Sequence, residues 1–216
     1  MRISVKKLAA LAFASMAVAS ANATIIDGRV TAGVGSFVEL SVPFSESDPD
    51  NTVGNNTFQD NNLYAFNEGQ NILLNNDLAA DDVGGGAAGT LLAGTVVASH
   101  YVFFDPRASR SQEGWVSFDS NILAIMTKTG TMAASDFLLN NNVDYQNPNA
   151  RGLESGDSAW FSGSTVYVDW KASTPGDYIR ILTAYSPSAP IPEPSSLLLI
   201  GIGLAGLGFS RKKKGA

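Results

Sequence analysis

The sequence predicts an all-β fold, and three observations carry the prediction. Apolar residues fall in short runs rich in Val, Ile, Thr and aromatic side chains, which fit a pleated surface. Clusters of Gly, Asn, Asp and Pro separate those runs, as turns require. No long stretch repeats its apolar residues with the 3.6-residue period of an amphipathic helix. Several short strands between turn signals point to a β-sandwich, jelly-roll or Ig-like, between about Thr24 and residue 186.

Taken in order, the elements begin with Phe37–Val42, which alternates in part. Residues 51–76 contain nine asparagines and read as long loops, with short apolar elements at Leu63–Phe66 and Ile72–Leu74. Gly84, Gly85 and Gly86 suit turns with positive φ. Thr95–Phe104 is the strongest strand, dense in β-branched and aromatic residues. Trp115–Phe118, Ile122–Thr127, Thr165–Trp170 and Tyr178–Thr183 follow, separated by Asp105-Pro106, Asp119-Ser120-Asn121 and Pro175-Gly176-Asp177. Ser135–Leu139 is the best short helical candidate.

The chain has 216 residues, 44% of them hydrophobic, enough for one core. It has no cysteine, which excludes disulfides and thiolate chemistry. Only 16% of residues are charged, against about 25% in an ordinary globular protein. The charge is segregated, with basic residues at both ends. Residues 24–190 hold seven basic and nineteen acidic residues, a net charge of −12. Such a surface repels phosphate backbones, which argues against nucleic acid and leaves cations and neutral polymers as compatible partners.

The two ends flank the β domain with short apolar helices. Residues 1–23 carry Arg2, Lys6 and Lys7, an apolar stretch, and a small-residue ending at Ala21 and Ala23. That is the pattern of a secretory signal peptide, cut before Thr24 by signal peptidase after the export machinery engages it. Residues 187–196 form a Pro-rich linker, residues 197–210 an apolar segment, and residues 211–216 a basic tail. As a helix, the thirteen residues from Leu197 to Phe209 would cover about 20 Å, short of the roughly 30 Å of bilayer hydrocarbon. Arg211, Lys212, Lys213 and Lys214 would stop transfer on the cytoplasmic side. Gly201, Gly203 and Gly206 match a dinucleotide-binding spacing, but no acidic residue follows and only ten residues remain, so that reading fails.

Pro192-Glu193-Pro194, then a short apolar segment, then Arg211–Lys214, resembles the PEP-CTERM sorting signal of exported proteins in Gram-negative bacteria. The resemblance covers about 25 residues at one end of the chain. It implies that exosortase, a membrane enzyme, reads Pro192, Glu193 and Pro194. The precursor would be held transiently in the inner membrane, and the product released to the cell surface or extracellular matrix, in association with extracellular polysaccharide and biofilm. A plain tail anchor on a Pro-rich stalk is the other reading of the same residues. Residues 84–184, through GTLLAGTVVASHYVFFDP, GWVSFDSNILAIMT, GLESGD and VYVDWKASTPGDYIRILT, are similar to a domain of unknown function recurring in such exported proteins. That second resemblance implies a fold and no site.

Catalytic signals are weak, and the domain reads as non-enzymatic. His100, the single histidine, lies mid-strand, where a structural role is expected. Gly156-Asp157-Ser158 starts like the nucleophile block of GDSL hydrolases, but Ala159 follows and no histidine lies downstream. Two carboxylates could make a glycosidase, yet nineteen acids give no preferred pair. No cofactor is expected. Calcium is the one ion with candidates, through the hard oxygens of Asp48, Asp50, Asp81 and Asp82, whose other reading is solvated acidic loops. Trp115, Trp160 and Trp170, with Tyr167, form either a sugar-stacking platform or core packing. The functional expectation is an exported surface or matrix protein, with a carbohydrate-binding module as the alternative and a secreted hydrolase behind it.

Overall fold

A computed structural model describes residues 24–185, which lie within one compact unit, Asn22–Ala189. The signal segment with Ala21 and Ala23, the Pro192–Pro194 triplet, the apolar segment and Arg211–Lys214 lie outside the described residues. Among the described residues no helix is long and apolar enough to cross a membrane.

The described chain is all-β, in two main sheets. The first is antiparallel and joins, in order, β1 (Ile25–Gly33), β9 (Arg110–Phe118), β13 (Thr165–Ala172) and β12 (Ser158–Ser162). The second joins β10 (Ile122–Met126), β14 (Asp177–Ala184), β8 (Val96–Phe104), β4 (Leu63–Asn67) and β2 (Phe37–Glu39). A short β5 (Ile72–Leu73) also pairs with β8. Two small pairs complete the set: β3 (Thr52–Val53) with β11 (Asp144–Tyr145), and β6 (Leu78–Ala80) with β7 (Gly89–Leu91).

Alternation along the strands sets the layers. Val116, Phe118, Val166, Val168 and Trp170 point from the four-stranded sheet into a shared core. They meet Leu63, Ala65, Val102, Phe104, Ile179 and Ile181 from the six-stranded sheet. Gly114 lies in that interface, and a Cβ there would stand 2.9 Å from a Leu63 methyl and 2.7 Å from the Arg29 carbonyl. A second core covers the opposite face of the six-stranded sheet. Tyr64, Phe66, Tyr101, Phe103, Tyr178 and Leu182 pack there beneath Leu40, Phe44, Phe58, Met132 and Leu138 from the covering loops. Each such side chain taken from water contributes about 1.5–3 kcal/mol.

This layering explains two sequence patterns. β8 and β14 are buried on both faces, so they read as near-continuous apolar runs. β13 has one face on the core and one on solvent, so it alternates cleanly. The loops over the second core also use the asparagines. Of the six non-glycine residues with positive φ among the described residues, five are asparagines: Asn51, Asn55, Asn56, Asn71 and Asn147. Asparagine tolerates that region because its short amide bonds locally to the backbone.

Three local expectations change. The strand at Phe37 ends at Glu39, where parallel pairing with β4 stops, although Leu40 N–H still reaches the Ala65 carbonyl at 2.8 Å. The helical segment starts earlier than Ser135. A six-residue helix α1 spans Thr129–Ala134, and a 3-10 turn over Asp136–Leu138 follows it. The loop region 51–76 contributes β4, an interior strand between β2 and β8, because Leu63–Phe66 buries side chains on both sheet faces.

Candidate functional site

The outer face of the four-stranded sheet carries the most distinctive arrangement of exposed side chains. Register places four residues in one row across all four strands: Arg29 opposite Trp115, Trp115 opposite Tyr167, and Tyr167 opposite Trp160. Their sequence neighbours Val116, Val166 and Val168 are buried, so strand alternation turns the row outward. At about 4.8 Å per strand the row spans about 14 Å. Trp160 is 46% exposed, and its ring lies nearly parallel to that of Tyr167, with centroids 5.6 Å apart at 13°. Trp115 and Tyr167 are half-buried beside it.

Polar rows flank the aromatic one. On one side, Ser117 Oγ and Thr165 Oγ1 share a hydrogen bond of 2.7 Å, with Asp27 opposite Ser117 on β1. On the other side, Glu113 lies directly opposite Asp169, and Asp169 opposite Ser158. Both carboxylates are exposed. Around the edge strand, Glu154 and Asp157 line a shallow depression with Thr127, Lys128 and Ser158. Asp177 is buried nearby. Among the described residues its Oδ2 has no hydrogen-bond partner, and burial, then the charges of Asp157 and Glu154, push its carboxyl up to about 7.

Of the four aromatic residues that the sequence offers either as a platform or as core, three share this face and one does not. Trp170 points into the core, 1% exposed, where its Nε1–H donates to Gln112 Oε1 at 3.3 Å. The reason is parity: in a period-two strand, positions 167 and 170 face opposite sides. The polar partners Glu113 and Asp169 were invisible in sequence, since only strand register places them together.

Of the other candidates, Asp81, Asp82 and His100 have structural partners. Asp81 Oδ2 accepts from the backbone N–H of Thr127 and Lys128 at 2.8 and 2.9 Å and from the Thr131 hydroxyl, and Oδ1 pairs with Lys128 Nζ at 3.1 Å. Burial works against its charge, but these bonds hold the carboxyl below its usual range. Asp82 Oδ1 accepts from Gly84 and Gly86 N–H and orders the triple-glycine turn. Asp48 and Asp50 are exposed loop residues. Among the described residues no three acidic or histidine side chains come together as a metal-binding group. His100 is fully enclosed between the sheets, with Nδ1 2.7 Å from Asn67 Oδ1 and Nε2 3.0 Å from Thr183 Oγ1. Burial pushes it down to about 3, so the ring is neutral.

A buried ionic network lies within the second core, joining residues too far apart along the chain to be paired by local pattern. Glu68 accepts from Arg180 through Oε2 at 2.7 Å and Oε1 at 3.1 Å, and both side chains are fully buried. Arg180 Nη1 also donates to the Met132 carbonyl at 2.8 Å and Ser135 Oγ at 2.6 Å, capping the end of α1. Asp136 links on to Arg151 through two bonds of 2.7 and 2.8 Å. The network fastens the 129–151 segment to the six-stranded sheet.

Residues 190–212 match the family described as the PEP-CTERM protein-sorting motif. No curated protein and no solved structure matches the chain. The chain thus carries a PEP-CTERM sorting signal, and that signal indicates export, a membrane-anchored precursor and processing by exosortase.

Proposed function

We propose that this exosortase-sorted protein is a non-enzymatic cell-surface or matrix component whose β-sandwich domain binds extracellular polysaccharide. The aromatic row on the open face of the four-stranded sheet carries the proposal. Aromatic rings present an electron-rich face to the C–H groups of a pyranose, and the adjoining hydroxyls and carboxylates can accept or donate to its hydroxyls. A row of about 14 Å accommodates more than one sugar ring. It is open along its length, which suits a chain that passes over the domain. A hydrolase would enclose its acids in a cleft, whereas Glu113 and Asp169 stand on an exposed sheet face.

Affinity electrophoresis through gels containing soluble polysaccharides tests the reading. Migration of the exported protein is retarded, and Trp160→Ala abolishes most of the retardation. Trp160 is exposed at an edge strand, so its loss leaves the core intact. Unretarded migration in neutral, acidic and cationic polysaccharides alike would overturn the proposal.

A further inference from the structure

The acids beside the aromatic row bear on which polysaccharide the face takes. Glu113 and Asp169 are direct cross-strand neighbours, with Cβ atoms about 4.5–5.5 Å apart. Like charges so placed repel, and a stable sheet normally avoids the arrangement. Among the described residues neither carboxylate has a hydrogen-bond or ion-pair partner that would offset the repulsion. The acidic character continues over the edge through Asp157 and Glu154, with buried Asp177 close enough to sense both charges. Arg29 and Lys171 also belong to the exposed face, Arg29 at the far end of the aromatic row and Lys171 opposite Ser111. Neither is paired with the two acids. A neutral hydroxyl can hydrogen-bond to one carboxylate but leaves their repulsion in place. An ammonium group between them removes it.

We infer that the face recognises a cationic glycan, a polymer of amino sugars with free ammonium groups: the rings stack on Trp160, Tyr167 and Trp115, and the ammonium groups sit at Glu113 and Asp169. The net charge of −12 over residues 24–190 attracts such a polymer and repels acidic ones. This inference rests on the carbohydrate reading above and specifies its ligand.

Titration calorimetry of the exported protein with a glucosamine hexamer and an N-acetylglucosamine hexamer tests it, at about pH 5.5, above the usual carboxylate range and below that of amines. The cationic hexamer is expected to bind about tenfold more tightly, and added salt to erode the difference. The Glu113→Gln/Asp169→Asn variant is expected to bring the two affinities together, while Trp160→Ala weakens both. Equal affinities in the wild type would overturn the charge inference and leave the platform reading standing. Tighter binding of an acidic chain such as alginate would overturn it too. Absence of binding to every glycan, with Trp160→Ala silent, would remove both readings.

Discussion

Replacing Glu68 by Gln breaks the buried ion pair while conserving side-chain shape. In the wild type the Arg180 guanidinium has two carboxylate contacts, at 2.7 and 3.1 Å, in a site with no exposure on either side. The amide keeps one acceptor oxygen but turns an N–H₂ donor toward groups that are donors themselves, Arg180 or the Ser99 hydroxyl, which gives Glu68 a bond of 2.6 Å. Arg180 would then rely for charge on Asp136, which is 3.4 Å away, 35% exposed and already shared with Arg151. Removing one partner of a buried pair costs about 3–5 kcal/mol. That is about a fifth or more of a typical total stability of about 5–15 kcal/mol. For a domain of this size it lowers the melting midpoint by roughly 6–20 °C. Urea unfolding followed by tryptophan fluorescence measures it directly. The double variant Glu68→Met/Arg180→Met, which removes both charges, is expected to lose less than either single variant. A Glu68→Gln loss below about 1 kcal/mol, or a double variant worse than the singles combined, would show that the pair is not a coupled buried ion pair.

Three further outcomes follow from the same structure. Asp177, pushed up to about 7 by burial and then by Asp157 and Glu154, keeps a proton in the folded state that the unfolded chain gives up near pH 4. Stability therefore falls as pH rises from about 4 to about 7 and levels off above, so Asp177→Asn gains up to about 4 kcal/mol over the wild type at pH 8 and almost nothing at pH 4, in paired denaturation curves. Equal gains at both pH values would contradict this. Glu113→Gln relieves the cross-strand repulsion and raises stability by about 0.2–1 kcal/mol at low salt, an increment that about 1 M salt should erase. The intact mass of the exported product, compared between wild type and a chain lacking Pro192–Pro194, checks the tail: processed wild type ends near residue 190, and the variant retains residue 216. A wild-type product that still reaches residue 216 would favour a permanent anchor.

Local chemistry made part of the candidate site legible. Trp115, Trp160 and Tyr167 were visible as aromatic residues in alternating runs, and parity alone separates Tyr167 from Trp170. That three of them form one row needed the registers Trp115–Tyr167 and Tyr167–Trp160, which come from pairing between distant segments. The same registers set Glu113 against Asp169, 56 positions apart by residue number. The surroundings of the calcium candidates were hidden for a related reason. Asp81 lies in an acidic loop by sequence, but the fold brings the backbone of Thr127 and Lys128 to its carboxylate.

The all-β class, the punctuation of strands by turns and the sorting address are legible along the chain, because each depends on residues close together in it. Side-chain volume and branching favour the pleat, asparagine permits positive φ, and Pro-Glu-Pro with its apolar and basic followers is a contiguous signal. Folding sets which sheet is buried on both faces, which tryptophan leaves the platform, and that Glu68, in an asparagine-rich loop region, neutralises Arg180 in the core. These depend on contacts between residues as many as 112 positions apart, which hydrophobic burial and strand register bring together and local propensity does not encode.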